Sequence, residues 1–479
     1  MPARTGEQFL KDLRGPREVW VDGERVTDVV DHPRLTGAAH ALAEVFDLHH
    51  RHPDILLMPD EETGEPIPVS HMIPRSREDL ARRGKALRKV AEYSVGLMGR
   101  TPDYMNVTYA GFAGNHGGWA ANGNEAGAER LVAYQRFLRR GDISLTHTIV
   151  QPTVDKAMGD APQAGNPYGL RKIADTQHGI VVRGARILAT LAPFADEIAV
   201  YPALPLPAGA DAYALSFCIP MSTPGLKFLC RDSVSATANR FDHPLSSRFD
   251  EQDAFVIFDD VEIPRDRLFI DGNLAAYNSV MTTSWPANIQ QQTMIRAAVK
   301  LDFAWGLALR VAAAINAADP ETNRMIGEIW SYSEFTRSAI VAAEVEAREW
   351  PGGMWTPAGA PLHALRATLP LWFPRVNEIL RLIGSHNVFA TPTAAQMADK
   401  ELRRLIDQYL PGAKGMPAEE RIRIFRLAWD FAGSALASRN EQYERFYLAS
   451  SPRNLARHLA FTDRSRADRL VDRFLKEPI

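Results

Sequence analysis

The hydrophobic period of this chain changes twice along its length, and no other feature narrows the possible folds as much. Residues 1 to about 143 read as mainly helical. The clearest helix opens at Ser76-Arg77-Glu78-Asp79, which has capping-box spacing with Asp79 in place of the usual Glu. Leu80, Leu87, Val90, Ala91, Ser94 and Leu97 then mark one face, and Gly99 and Pro102 are expected to stop the helix. That reading leaves Arg100 to Tyr104 in a loop just past a helix C-terminus, a common place for site residues.

Residues 144 to about 270 change to the period of strands. Arg171–Thr176 and Ile180–Thr190 read as two strands joined at Gln177-His178-Gly179. Glu197–Tyr201, Ala212–Ile219, Leu226–Cys230 and Ala254–Phe258 follow. Short strands between Pro and Gly turns suggest a sandwich or barrel. They do not alternate with helices, which argues against a parallel doubly wound sheet. No GxGxxG follows a strand, so the dinucleotide fingerprint is absent. From about 271 the text is helical again, with long runs at Ile289–Ala318, Glu321–Glu349, Leu365–Leu382 and Glu419–Tyr447. Four long helices in series suggest a bundle, and Ala297, Ala298, Ala304, Gly306 and Ala308 in the first suit close packing. The expected division is therefore a helical domain over 1–143, a β-domain over 144–270 and a helical bundle over 271–479.

Composition excludes several functions. The chain has 479 residues, too many for one core, and its net charge of -3 gives no reason to expect nucleic acid or an anionic membrane as partner. No apolar run reaches the roughly 18 residues of a membrane span, and the polar stretch Met1–Arg14 does not read as a signal peptide. Cys218 and Cys230 are the only cysteines and read as buried thiols in a reducing cytoplasm. Two cysteines cannot hold a four-cysteine cluster or zinc ribbon. The histidine-rich run Asp47-Leu48-His49-His50-Arg51-His52-Pro53 has no matching carboxylate or cysteine cluster, so packing is expected there and no metal.

A set of short motifs runs through almost the whole chain. They are Gly99-Arg100-Thr101-Pro102-Asp103-Tyr104-Met105-Asn106, Thr146-His147-Thr148-Ile149-Val150-Gln151-Pro152, Val182-Arg183-Gly184-Ala185-Arg186, Ser222-Thr223-Pro224-Gly225, Phe241–Arg248, Phe258-Asp259-Asp260-Val261 and Tyr443-Glu444-Arg445-Phe446. In this order they resemble the oxygenase component of 4-hydroxyphenylacetate 3-monooxygenases. The resemblance implies an α+β fold of acyl-CoA dehydrogenase type, with an N-terminal helical domain, a central β-barrel and a C-terminal four-helix bundle that builds a homotetramer. It implies reduced FAD delivered by a separate NAD(P)H-dependent flavin reductase, and O2 as oxidant. The implied reaction is ortho-hydroxylation of a phenol to a catechol through a flavin C4a-hydroperoxide.

That chemistry needs groups that hold the phenol oxygen, favour phenolate character and keep water away. Arg100 is a permanent cation with a rigid donor fork, Tyr104 can donate to the same oxygen, and His147 has an ordinary pKa that lets it trade a proton near neutral pH. The resemblance places these three around the phenol and the flavin. It places flavin contacts at His147, Thr148, Ile149 and Val150, at Thr153, Val154, Asp155 and Lys156, at Thr190, and at the turn Ser450-Ser451-Pro452-Arg453, where Arg453 would pair with pyrophosphate.

The chain also departs from the family. Leu188 stands where a second threonine often precedes the flavin. Ala203-Leu204 stand where the 4-hydroxyphenylacetate enzymes have a Ser-Thr pair that holds the substrate carboxylate. Each unmade bond to a carboxylate there would cost about 1–3 kcal/mol. The expected substrate is accordingly a larger or less acidic phenol than free 4-hydroxyphenylacetate, either tyrosine-derived or carried on another molecule. A chlorophenol-type monooxygenase and an acyl-thioester dehydrogenase or oxidase are the alternatives on the same fold. The related 4-hydroxybutyryl-CoA dehydratase would need more cysteines than Cys218 and Cys230.

Overall fold

The computed structural model describes residues 3–155, 166–235, 239–280 and 285–476, without the side chains of residues 285 and 459–461. Its helices begin where the sequence provides caps. Ser76 Oγ accepts from the Asp79 N–H at 3.0 Å and opens the helix Arg77–Tyr93. The Asp79 carboxylate reaches the Arg75 N–H at 2.8 Å in place of the cap residue's own, so the box is only half closed. This helix ends earlier than its apolar face suggested, and Ser94–Thr101 form a loop. The next helix, Pro102–Gly114, starts on the residue expected to act as a stop. Proline has no N–H to leave unpaired in a first turn, so it begins a helix as readily as it ends one. Arg100 therefore lies in the loop as expected, but Tyr104 sits in the first turn of a buried helix.

The strands fall into two sheets. The larger runs in the order Glu24–Val26, Glu18–Val21, Leu226–Cys230, Asp253–Pro264, Gly179–Thr190, Arg171–Asp175. The smaller runs Leu268–Asp271, Leu215–Pro220, Glu197–Val200, Leu145–His147. Among the described residues no ladder closes either sheet, and the β-domain expected as a barrel is seen as these two open sheets. The hairpin Glu18–Val26 explains one open edge: it pairs in parallel with Leu226–Cys230 through Glu18↔Lys227 and occupies the side that closure would need. The long pair Gly179–Thr190 and Asp253–Pro264 carries two register shifts, one opposite Leu188, whose φ is 73°. That irregularity turns Ile187 and Leu188 outward, leaving each 42% and 45% exposed beside the cavity described below.

Behind the sheets stand Trp285–Ala314, Pro320–Val345 and Gly359–Gly384, with Ala418–Ala432 and Ala435–Phe446 completing the bundle. The fourth run is broken where one helix was expected. Gly433 ends the first piece, and Ser434 Oγ caps the second through the Ala437 N–H at 3.2 Å. The break re-aims Ala435–Phe446 so that its last turn meets the loop carrying Arg100. A buried ion cluster fastens it there: Glu444 takes two bonds from Arg296, at 2.7 and 2.9 Å, and one from Lys300 at 3.1 Å. Among the described residues no helix is long and apolar enough to cross a membrane.

Candidate active site

Sheets, bundle and the 94–101 loop enclose a cavity of about 890 Å3. Arg100 lies on its wall. The Arg100 N–H donates to Glu251 Oε1 at 2.7 Å, which fixes the backbone. Its guanidinium packs over the rings of Tyr104, at 3.9 Å, and Tyr447, at 4.3 Å, and donates through Nη1 to the Tyr443 hydroxyl at 2.6 Å. A Cβ on the neighbouring Gly99 would overlap that hydroxyl, so only glycine lets Tyr443 come this close. Among the described residues no carboxylate pairs with the Arg100 guanidinium. A half-buried cation held by aromatic faces, one hydroxyl and one backbone carbonyl is a site for an anion.

His147 is buried beside it, at the end of Leu145–His147, and its ring stacks on Tyr104 at 5.4 Å. Its Nδ1 lies 3.2 Å from Met105 Sδ. A thioether can only accept, so Nδ1 carries the proton and Nε2 presents a lone pair. Burial, with help from the Arg100 charge, holds His147 well below the ordinary histidine range. The titration near neutrality expected from an unperturbed imidazole is thus replaced by a ring that is neutral throughout that range. Tyr104 stands one layer back. Its ring supports both Arg100 and His147, its hydroxyl is hydrogen-bonded to Tyr201, and burial pushes its pKa up to about 12.

Of the other residues expected at the site, Ile149, Val150, Thr153, Val154, Asp155, Thr190, Ala203, Leu204, Ser450 and Arg453 line this same cavity. Thr148 is fully buried behind its wall, with its N–H on Ala199 O at 2.9 Å and its hydroxyl unpartnered. Ser451 and Pro452 begin the helix Ser451–Phe461 and do not reach the wall. Lys156 lies outside the described residues. The Thr190 hydroxyl donates to Asp253 Oδ1 at 2.8 Å, and Asp253 also binds Arg439, at 2.6 and 2.8 Å, and Arg231 at 3.1 Å. Those two guanidinium groups outweigh burial and hold Asp253 down at about 2.

The wall includes residues that sequence reasoning left without a role: Gln151, Arg186, Tyr277, Arg366, Arg439, Tyr443 and Tyr447. Arg439, Tyr443 and Tyr447 are spaced four apart, so one helix face carries all three. The two tyrosines stack at 4.8 Å and Arg439 lies 4.7 Å from the Tyr443 ring. That spacing was the available signal. The cavity also suits a flavin by its own features. Among the described residues Gln151 Nε2 has no partner and the Arg366 guanidinium bonds only to Leu448 O, at 2.7 Å, while Val150, Val154 and Leu188 offer apolar surface.

The class of protein, a flavin-dependent monooxygenase, is shown by its relatives. Residues 5–270 match the family model described as 4-hydroxyphenylacetate 3-hydroxylase N terminal, and residues 276–476 match the one described as 4-hydroxyphenylacetate 3-hydroxylase C terminal. The chain belongs to the 4-hydroxyphenylacetate 3-hydroxylase family. It is 36% identical over 94% of its length to the 4-hydroxyphenylacetate 3-monooxygenase oxygenase component of Thermus thermophilus, covering 93% of that protein. A crystal structure of such an oxygenase component complexed with FAD and 4-hydroxyphenylacetate superposes with a TM-score of 0.93 at 35% identity, over 99% of this chain and 98% of that one. An archaeal 4-hydroxybutyryl-CoA dehydratase from N. maritimus, at 19% identity, a TM-score of 0.89 and coverage of 100% and 97%, shares the fold alone.

Proposed function

We propose that this chain is the oxygenase component of a two-component monooxygenase, and that Arg100 and His147 are its catalytic pair for ortho-hydroxylating a phenol. The observation that carries the assignment of roles is the half-buried Arg100 guanidinium, caged by Tyr104, Tyr443 and Tyr447 without a carboxylate partner among the described residues. Bound reduced FAD would supply two electrons to O2, one oxygen atom entering the ring and the other leaving as water. Ile149, Val150, Thr153, Val154, Asp155, Thr190, Ser450 and Arg453 would hold it, with Lys156 in the same segment.

The protein's own groups prepare the phenol. The phenol oxygen approaches Arg100, and His147 Nε2 accepts its proton. Arg100 lowers the basicity of His147 in the free protein. A phenolate on Arg100 offsets that charge, so His147 becomes a better base as the substrate binds. Electron density from the phenolate then enriches the ortho carbon that the oxidant attacks. Tyr104 is a positioning residue that holds both groups by its ring. The acyl-thioester reading requires a free carboxylate facing substrate. Of the two carboxylates on the described wall, Asp253 is locked between Arg231 and Arg439, and Asp155 belongs to the segment assigned above to the flavin.

The reading extends to assembly. Trp330, Phe335, Val345, Leu371 and Leu382 stand on the bundle helices and are 47–62% exposed. Burial of such faces between copies favours a homotetramer. A separate flavin reductase and a cytoplasmic setting complete the proposal, the latter in keeping with the free thiols of Cys218 and Cys230. The testing experiment supplies enzymatically reduced FAD, isotopically labelled O2 and a panel of phenols. Labelled catechol is expected; flavin oxidation with no labelled product from any phenol would reject the assignment.

A further inference from the structure

Arg186 is another wall cation without a carboxylate partner among the described residues, and the most deeply buried. It lies in Gly179–Thr190, its residue is only 2% exposed, and it lines the cavity. Nη1 donates to Ile149 O at 2.9 Å, while Nε is buried with no acceptor. Among the described residues no carboxylate pairs with it. Burial alone lowers its pKa, and the sole compensating influence is the Tyr277 hydroxyl. A permanent charge in such a place is costly unless a ligand completes it.

Its surroundings say which end of the cavity this is. Tyr277 is hydrogen-bonded to the Ala203 backbone. The next residue on that helix, Asn278, clamps the same loop by two bonds to the Leu206 backbone, at 2.8 and 2.9 Å. One helix, Leu274–Val280, thus joins Arg186 to the loop where Ala203 and Leu204 present apolar surface. The wall there is apolar first and cationic beside it.

Resting on the monooxygenase reading above, we infer that Arg186 is an anion-binding subsite for the substrate's tail, so that the substrate is a phenol whose para side chain runs past Ala203–Leu204 and ends in a carboxylate. The two hydroxyls lost from the loop are then no bar to an acidic substrate. They move its charge from the loop to the strand, which favours tails longer than acetate. The guanidinium fork suits a carboxylate in bidentate fashion.

The test compares 4-hydroxyphenyl acetate, propionate and butyrate acids with their methyl esters, in the wild type and in Arg186→Met and Arg186→Lys. For the wild type, kcat/KM should favour acid over ester, most strongly with the longer tails. Arg186→Met should lower kcat/KM for the acids about 10- to 100-fold, from the loss of charged hydrogen bonds, while the esters change little. Arg186→Lys should restore part of the preference. Equal losses for acids and esters, or a weakened affinity for reduced FAD in Arg186→Met, would overturn the inference and give Arg186 to the cofactor or to the fold. Should Arg186→Met fail to fold, the wild type decides: esters used as well as acids would overturn it. Turnover of esters in the wild type keeps the monooxygenase reading separate, because that reading fails only if no phenol is hydroxylated.

Discussion

Replacing Arg100 by methionine isolates the charge at the centre of the site. Methionine keeps much of the apolar contact with Tyr104, Tyr443 and Tyr447 and removes the cation. A free phenol ionises near pH ~10. Two opposing influences act on it in this cavity. Burial raises its pKa, as it does for Tyr104, which is pushed up to about 12 even with Arg100 alongside. A direct hydrogen bond from the guanidinium to phenolate contributes about 1.5–3 kcal/mol, or roughly 1–2 pKa units at ~1.36 kcal/mol each. Wild-type protein should therefore hold a bound phenol about 1–2 units more acidic than Arg100→Met does. 4-Nitrophenol reports this directly, because its phenolate is coloured and its acid is not. Titrating the flavin-free complexes by absorbance gives both values. In the variant the bound phenol should titrate at or above its value in water, and hydroxylation of ordinary phenols at neutral pH should fall with it. An identical midpoint in the two complexes would refute the phenolate role of Arg100, whatever the variant does to turnover.

Three further expectations follow from the same geometry. His147→Ala removes the proton acceptor but leaves the Arg100 cage, so flavin oxidation should continue while hydrogen peroxide replaces catechol; a normal product yield per flavin consumed would remove His147 from the chemistry. Ala203→Ser with Leu204→Thr should improve kcat/KM for 4-hydroxyphenylacetate by about thirtyfold if each of the two regained hydrogen bonds is worth ~1 kcal/mol, and no gain would show that the loop does not meet the carboxylate. The third concerns acid stability. Burial lowers His49 to about 4 and His71 to about 3 from an ordinary value near 6.5. Both are neutral above that value and contribute no pH dependence there. Below it the unfolded chain takes up protons that the folded one refuses, so stability falls with pH, by about 2.7 kcal/mol for each histidine at pH ~4.5. Urea midpoints of wild type and His71→Met at pH 7 and pH 5 check this; an unchanged acid slope in the variant would disprove it.

The sequence carried the order of the parts well, because period and caps are local properties. Ser76 caps the helix that follows it, as its spacing implied, whereas Ser434, passed over, caps the second half of a run read as one helix. It misplaced Tyr104 because Pro102 starts a helix and stops one by the same missing N–H. It also carried Arg100 and His147, but only through their motifs. Nothing local distinguishes Arg100 from the many arginines whose charge ends in an ordinary ion pair. What singles it out is the set of partners it lacks, and those depend on Tyr443 and Tyr447, some 340 residues away, with Arg100 and Tyr443 separated by 343 positions.

Arg186 makes the point more sharply. It stands in a legible strand, inside a motif, and alternation along that strand would put an apolar residue at its position. A register shift between Ala254 and Val256 sets its neighbour Leu188 to a positive φ and opens the wall. Tyr277, from a helix formed nearly a hundred residues later, then covers the guanidinium without neutralising it. A charge that local pattern would send to solvent is kept inside by long-range packing, and packing alone gives it no counter-ion. The same holds for Arg100. In both cases the arginine that packing leaves without a carboxylate is the one left for the ligand to complete. On the readings proposed above, a phenolate formed at Arg100 and a carboxylate bound at Arg186 would complete both cations.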